Sequence, residues 1–476
     1  MEKLYFIRIG GTAMGGVAAA CKQQGAQISG SETDLYEPMK SYLADHGVQV
    51  FPSFDPANIV ASGAERIVVG NAVSRGNDEL EYALEHKIPL VSLPGLISEK
   101  LIDRNTSVVI AGTHGKTTTT SMVAWMLDQA GLEPGYLIGG VPGNFSDSCR
   151  PVSPRFHNTD QGYFISEGDE YDTAFFDKRS KFLLYRPDIG VINNIEFDHA
   201  DIFDSLDAIK KSFRLFARLV PRNGVLLANQ DDPDVAEVIA DPVCPVQTFG
   251  FGAGAYWRAS DVRMDDGLCI FDLHRDGVLL GSVSLNMPGD HNVSNMLVAC
   301  AVGLRAGLTF DQIVAGALSY KAPKRRLEEI GSFQGALVVD DFAHHPTAIQ
   351  ATLDALQAKY PGRKIWVAFE PRSNTTTRNI FQHELANCFS GASGVMFGAT
   401  DRPWRYTSEE KLDLNALVAD LGVKGVDSDF INEEQAKAKD WGKFAFDWLA
   451  SRVNEGDVVG VFSNGNFGGL RAMLVG

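Results

Sequence analysis

An apolar run, Thr106-Ser107-Val108-Val109-Ile110-Ala111, stops at Gly112-Thr113-His114-Gly115-Lys116-Thr117, and the threonines up to Thr120 lead into "SMVAWMLDQAG". This order predicts a strand, a tight glycine turn and a helix, a unit that is stable where helices cover a parallel sheet. Backbone N–H groups of such a loop, with the helix N-terminus behind them, point at phosphate oxygens. Lys116 then reaches the terminal phosphates, and the Thr117 hydroxyl ligates Mg²⁺. Ile110 stands where G-x-x-x-x-G-K-[ST] has its first glycine, so the loop is the shorter kind. The bland alternative is a polar helix start with a chance Gly-Lys-Thr. Strand before and helix after favour nucleotide binding, with ATP as the ligand.

The same alternation of short apolar runs and longer amphipathic stretches fills the chain, and 476 residues are too many for one core. We therefore expect an α/β protein of three domains. The first, 1–104, is Rossmann-like, built on "LYFIRIGGTAMGGVAAACKQQGAQISGSE". The second, 105–323, is P-loop ATPase-like with a mostly parallel sheet, and carries a hairpin turning at Asp276-Gly277. The third, 324–476, is a Rossmann-like α/β unit that begins after a basic hinge at Lys324 to Arg326. That hinge implies that the third domain swings in to meet the phosphate loop.

A formal net charge of −17 argues against nucleic acid as a partner. No run approaches the ~18 apolar residues of a membrane span. The apolar start, Leu4 to Ile7, is short and meets Arg8, unlike a secretory signal. Cysteines 21, 149, 244, 269, 300 and 388 are scattered without a C-x-x-C pair, which suits reduced thiols in a cytoplasmic enzyme.

The N-terminal glycine turn is a weaker signal. On a G-x-G-x-x-G template its key positions are Arg8, Gly10 and Ala13, so one glycine of three remains. That disfavours a nicotinamide cofactor and leaves either a different nucleotide diphosphate or close helix–strand packing. Acids cluster after other strands: Glu167, Asp169, Glu170 and Asp172, then Glu196 and Asp198 with His199. A carboxylate and an imidazole beside the loop could hold Mg²⁺, or be solvated loop acids. Asn292 and Asn295, one turn apart, read a base edge or cap a helix. Asp340, Asp341, His344, His345, Arg372, Arg378 and the "SNGNFGG" loop, including Asn464, place polar groups at strand ends of the third block.

Taken in order, "AGTHGKTTT", "EGDEYD", "NNIEFDH", "NQDD", "GDHNVSN" and "DDFAHHP" resemble the Mur ligases over essentially the whole chain. The resemblance implies a UDP-sugar site around Gly11, Thr12, Met14, Ser31, Asn71 and Ser74. It implies ATP on Gly112, Thr113, His114, Gly115, Lys116, Thr117 and Thr118, with Asn295 at the adenine and Asp341 closing from the third domain. Thr117, Glu167 and His199 would hold Mg²⁺, making Lys116, Glu167 and His199 the catalytic set. Arg372, Arg378 and Asn464 would meet an incoming peptide. Within the family, "MGGVAAACKQQG", "FEPRSN" and "SNGNFGG" point to the members of murein recycling that join L-alanyl-γ-D-glutamyl-meso-diaminopimelate to UDP-N-acetylmuramate. A sibling adds free L-alanine and has His-Arg-Tyr where this chain has Arg372-Ser373-Asn374. Two departures stand out. Arg8 replaces a customary glycine, and Phe213 falls where several relatives carbamylate a lysine, with Lys210 and Lys211 nearby.

The implied chemistry is the activation of a carboxylate. Transfer of the ATP γ-phosphoryl makes an acyl phosphate, and the peptide amine then displaces phosphate. The protein supplies positioning and charge neutralisation. The rival readings are the alanine-adding sibling, a nicotinamide oxidoreductase resting on the first glycine turn, and a P-loop switch without a second substrate.

Overall fold

The computed structural model describes residues 1–157, 159 and 162–476 and builds them around three principal sheets. The first has the order Gln49–Phe51, Gln27–Ser31, Lys3–Ile7, Arg66–Val69, Leu90–Ser92, and every pairing is parallel. The chain winds outward from Lys3–Ile7 and then crosses to its other side, which opens a crevice beyond the carboxyl ends of the two middle strands. Thr12–Gln23 is an alanine-rich helix buried along most of its length. Its glycines permit that burial: a Cβ on Gly16 would stand 3.1 Å from Cys149 Cβ, on an edge strand of the central sheet.

The central sheet has ten strands. Its middle is parallel, and Thr106–Ala111 lies between Tyr163–Gly168 and Ile189–Ile192. The register pairs Ile110 with both Glu167 and Val191, so the turn after Ala111 emerges between the two acid-bearing strand ends. At one edge the sheet becomes an antiparallel meander of Trp257–Asp265, Leu268–Arg275 and Val278–Leu285. Asp276 and Gly277 take φ of 50° and 78°, the left-handed pair of a type I′ turn, where the hairpin is expected. Asp266-Gly267 makes a second such turn (45° and 77°), giving one strand more than the sequence pattern predicts. That strand has polar residues at its outward positions, so its apolar signal is thin.

The third sheet runs Glu328–Phe333, Ala336–Asp341, Val458–Phe462, Ile365–Phe369, Gly394–Phe397, Asp427–Phe430. It is parallel apart from its first strand, which folds back through Gln334-Gly335 (φ 51° and 81°). The stretch read as hinge thus leads directly into an edge strand. The carboxyl ends bring Asp341, Glu370 and Ser463 to one rim of the sheet. Among the described residues all six cysteines are free thiols, and no helix is long and apolar enough to cross a membrane.

Candidate active site

Gly112 and Gly115 bend the central turn at φ of 146° and 82°, where a side chain is strained. Crowding demands glycine as well: a Cβ on Gly112 would lie 2.9 Å from Asn193 Cβ, and one on Gly115 would lie 2.7 Å from Asn295 Oδ1. Asn194 Oδ1 accepts the His114 N–H at 2.7 Å, and Asn295 Oδ1 accepts the Thr119 hydroxyl at 2.9 Å. Asparagines from two other segments therefore fix the loop's shape. The helix Lys116–Gln129 starts at Lys116, so its first N–H groups face the turn.

Lys116 Nζ donates to the Gly112 carbonyl at 2.6 Å and to Glu170 Oε1 at 2.9 Å. His199 Nε2 meets the same Glu170 oxygen at 3.0 Å, so this buried carboxylate ties lysine and histidine together. Burial pulls the Lys116 pKa down, but the carboxylates of Glu170, Asp169 and Glu167 outweigh it and the net shift is upward. His199 behaves alike, with Glu170 and Asp198 overcoming burial. Thr117 Oγ1 donates to Glu167 Oε2 at 3.0 Å, and burial raises the Glu167 carboxyl. His199 holds φ of 55°, unusual for a β-substituted residue and concentrated at functional sites. Glu170 Oε2 is buried with no hydrogen-bond partner among the described residues, although the residue figured in the sequence reading merely as one of several loop acids. Its spacing from Glu167 was visible; its reach to two cations was not.

The loop opens into a cavity of about 450 Å³. Its lining includes Thr113 to Thr118, Asp198, His199, Asn295 and the apolar Phe251 and Met287 from the central domain. Arg326, Asp341, Phe342 and His344 complete it from the other side. The third domain therefore already faces the phosphate loop in this structure, docked on the strip Glu196–Asp198. Thr375 Oγ1 donates to Asp198 Oδ1 at 2.7 Å, and Thr347 Oγ1 donates to Glu196 Oε1 at 2.9 Å. Asp341 lines the cavity with its carboxylate engaged by the N–H groups of Leu327 (2.7 Å) and Ala343 (2.8 Å).

Other expected residues lie apart. Gly11 and Thr12 begin the first helix, Met14 is buried within it, and Asn71 and Ser74 follow the strand Arg66–Val69, all at the crevice of the first sheet. The Ser31 hydroxyl is not presented there: it is fully buried and donates to Glu79, which also accepts from Tyr5 at 2.6 Å. In the third domain a Cβ on Gly465 would touch Arg372 Nη1, so Arg372 packs on the loop that holds Asn464. Arg378 instead sits over the Tyr406 ring, 5.6 Å from its centroid. Arg8 adopts φ of 60°, in the left-handed region that glycine favours, and lies 5.5 Å from the centre of the Phe54 ring. Phe213 is fully buried, 5.5 Å from Phe182 between ring centroids, and Lys210 pairs with Asp234 and Glu237 at 2.6 Å each.

Three consecutive family patterns match this architecture. The Mur ligase family catalytic domain covers residues 3–104, the Mur ligase middle domain 110–303, and the Mur ligase glutamate ligase domain 325–465. The chain belongs to the Mur ligase family, whose members are ATP-dependent ligases. It is 36% identical, over all of its length and 99% of the relative's, to the UDP-N-acetylmuramate–L-alanyl-γ-D-glutamyl-meso-2,6-diaminoheptandioate ligase of Haemophilus influenzae. It is 33% identical to the UDP-N-acetylmuramate–L-alanine ligase of Clostridium acetobutylicum over 96% of this chain and 94% of the other. Among solved structures, a murein peptide ligase from Psychrobacter arcticus superposes with a TM-score of 0.72 at 31% identity, covering 100% of this chain and 98% of that one.

Proposed function

We propose that this chain joins L-alanyl-γ-D-glutamyl-meso-diaminopimelate to the lactyl carboxylate of UDP-N-acetylmuramate, in the cytoplasm, as a step of peptidoglycan recycling. The observation that carries the ligase chemistry is the convergence of Lys116, Thr117, Glu167, Glu170 and His199 at a glycine loop whose cavity is shared with the third domain. Residues 105–323 hold ATP, residues 1–104 hold the UDP-sugar in the first sheet's crevice, and residues 324–476 bring the peptide.

The donor set fits Mg²⁺. A hard dication favours oxygen ligands, and among the described residues Glu170 Oε2 is a buried carboxylate oxygen with no hydrogen-bond partner, on the residue whose other oxygen meets His199, while Thr117 and Glu167 offer oxygens at the loop. Thr117, Glu167 and His199 would hold the ion, which when bound neutralises phosphate charge. The protein's own part is separate. Loop N–H groups and Lys116 orient the terminal phosphates and stabilise the charge that develops on them. Asn295 braces the loop from the side that also faces the base, and Asp341 stiffens the third domain's wall through Leu327 and Ala343. Arg372 and Asn464 offer donors to the carboxylates of a peptide, which free alanine needs far less.

The amine decides between the two closest activities. We expect kcat/KM for the tripeptide to exceed that for free L-alanine by at least about 100-fold, since several charge-assisted contacts are at stake. Measured at fixed ATP and UDP-N-acetylmuramate, parity of alanine with the tripeptide would assign the chain to the alanine-adding activity instead.

A further inference from the structure

Three side chains from three segments meet where the central and third domains touch. His114 belongs to the phosphate loop, Glu196 follows the strand Ile189–Ile192, and His345 precedes the helix Pro346–Lys359 as its N-cap. One ligand atom from each lies within 4.8 Å of the others. His114 Nε2 is 2.8 Å, and His345 Nδ1 3.3 Å, from the same oxygen, Glu196 Oε2. The imidazoles lie 4.6 Å apart between ring centres.

The protons around this cluster are already assigned by its neighbours. The Thr347 N–H points at His345 Nδ1 (3.3 Å), which makes that nitrogen an acceptor and leaves Nε2–H to face the Phe197 carbonyl at 3.4 Å. The same Nδ1 also lies 3.3 Å from Glu196 Oε2, so an ion bound there takes the lone pair that now accepts the long Thr347 contact. The other Glu196 oxygen is held by the Thr347 hydroxyl at 2.9 Å. An imidazole whose far N–H meets a carbonyl, and a carboxylate whose far oxygen is hydrogen-bonded, are how metal ligands are usually oriented.

We propose that His114, Glu196 and His345 form a site for a borderline transition-metal dication such as Zn²⁺, separate from the oxygen-rich position beside Glu167. Two imidazoles and one carboxylate suit such an ion, whereas Mg²⁺ takes mainly oxygen ligands, and His114 also lines the cavity. On binding, His114 gives up its Nε2 proton and takes one up from solvent at Nδ1, so that the ring ligates as a neutral imidazole. The ion links the phosphate loop to the third domain's helix across the docking strip, so it holds the domains together and slows their opening. The binding claim is independent of the ligase reading.

The test is a Co²⁺ titration of the full-length, nucleotide-free protein followed by visible absorption. Wild type is compared with His345→Asn, Glu196→Gln and His199→Ala, with circular dichroism to check each fold. His345→Asn keeps an N-cap acceptor while removing the imidazole. Expected is one Co²⁺ per chain with the intense bands of low coordination. Affinity should fall at least about 100-fold in His345→Asn and in Glu196→Gln, because direct ligands weigh more than the outer partners whose loss costs about 10–100-fold. His199→Ala should retain the bands. Absence of binding, bands that survive His345→Asn, or bands that vanish with His199→Ala instead would each overturn the site. Should one ligand variant fail to fold, the other decides.

Discussion

Two glycine turns in this protein leave a parallel strand and enter a helix, yet they answer different demands. In the central turn Gly112 and Gly115 hold left-handed torsions and face neighbours too close for a Cβ. The first-domain turn is otherwise: Gly11 is ordinary extended backbone (φ −69°, ψ 142°), and the left-handed position is occupied by Arg8. There the Gly10 N–H is taken by Glu32 Oε2 at 3.2 Å, and Gly15 and Gly16 serve close packing of the helix. The central loop is thus bent to hold a lysine and backbone donors at the cavity, while the first is shaped mainly by what packs behind it. At the central turn torsion and crowding together require glycine, whereas at Gly15 and Gly16 crowding alone does.

The sharpest break between the two regions is chemical. Lys116→Ala should lower ligation by at least about 10²-fold in a protein that still folds, because charge stabilisation at the phosphates is lost. Near-normal turnover of a folded variant, measured as phosphate release, would remove this loop from the chemistry. Next in size is a matched pair of methyl additions. Gly115→Ala forces a side chain into left-handed backbone against Asn295 and should destabilise by about 1–3 kcal/mol while weakening ATP binding. Gly11→Ala meets nothing nearer than 3.9 Å and should change stability by less than about 0.5 kcal/mol. Equal losses in thermal unfolding would erase the distinction drawn here.

A smaller effect should separate the regions by sign. Burial pushes His345, at the domain contact, down to about 3, so below the ordinary histidine range the unfolded chain binds the proton first. Stability carried by this neutral imidazole is present above about pH 6.5 and falls as pH drops from there toward 3, by up to about 1.4 kcal/mol per pH unit. In the first domain burial raises the Glu79 carboxyl despite three donors, so there the folded form takes up the proton first and gains stability as pH falls through the raised value. Hydrogen exchange, corrected for intrinsic rates, should show Pro346–Lys359 loosening between pH 7 and 5 while Lys3–Ile7 does not. Parallel loosening of both would contradict these assignments.

Much of this was legible in the sequence because the signals are local. The strand–turn–helix at Ala111–Thr117, the Asp276-Gly277 hairpin and the acid-bearing strand ends all follow from neighbouring residues. What escaped depends on distant ones. Glu170 was one acid among several until the fold set it between Lys116 and His199. Ser31 stood at a suitable strand end, but its hydroxyl turned inward to Glu79, a residue 48 positions away. The meeting of His114, Glu196 and His345 exists only when the third domain docks. The edge strand Glu328–Phe333 went unread because its charged start resembled a linker.

Activation of a carboxylate at the phosphate loop is the claim on which the functional account turns, and oxygen transfer tests it most directly. UDP-N-acetylmuramate carrying ¹⁸O in its lactyl carboxylate is incubated with the protein, ATP and the tripeptide, and the released phosphate is analysed by mass spectrometry. The bridging oxygen of an acyl phosphate comes from the carboxylate and leaves with phosphorus when the amine attacks carbon. Each phosphate released should therefore carry one ¹⁸O, with none appearing when Lys116→Ala is used. Unlabelled phosphate formed alongside ligated product would contradict the account.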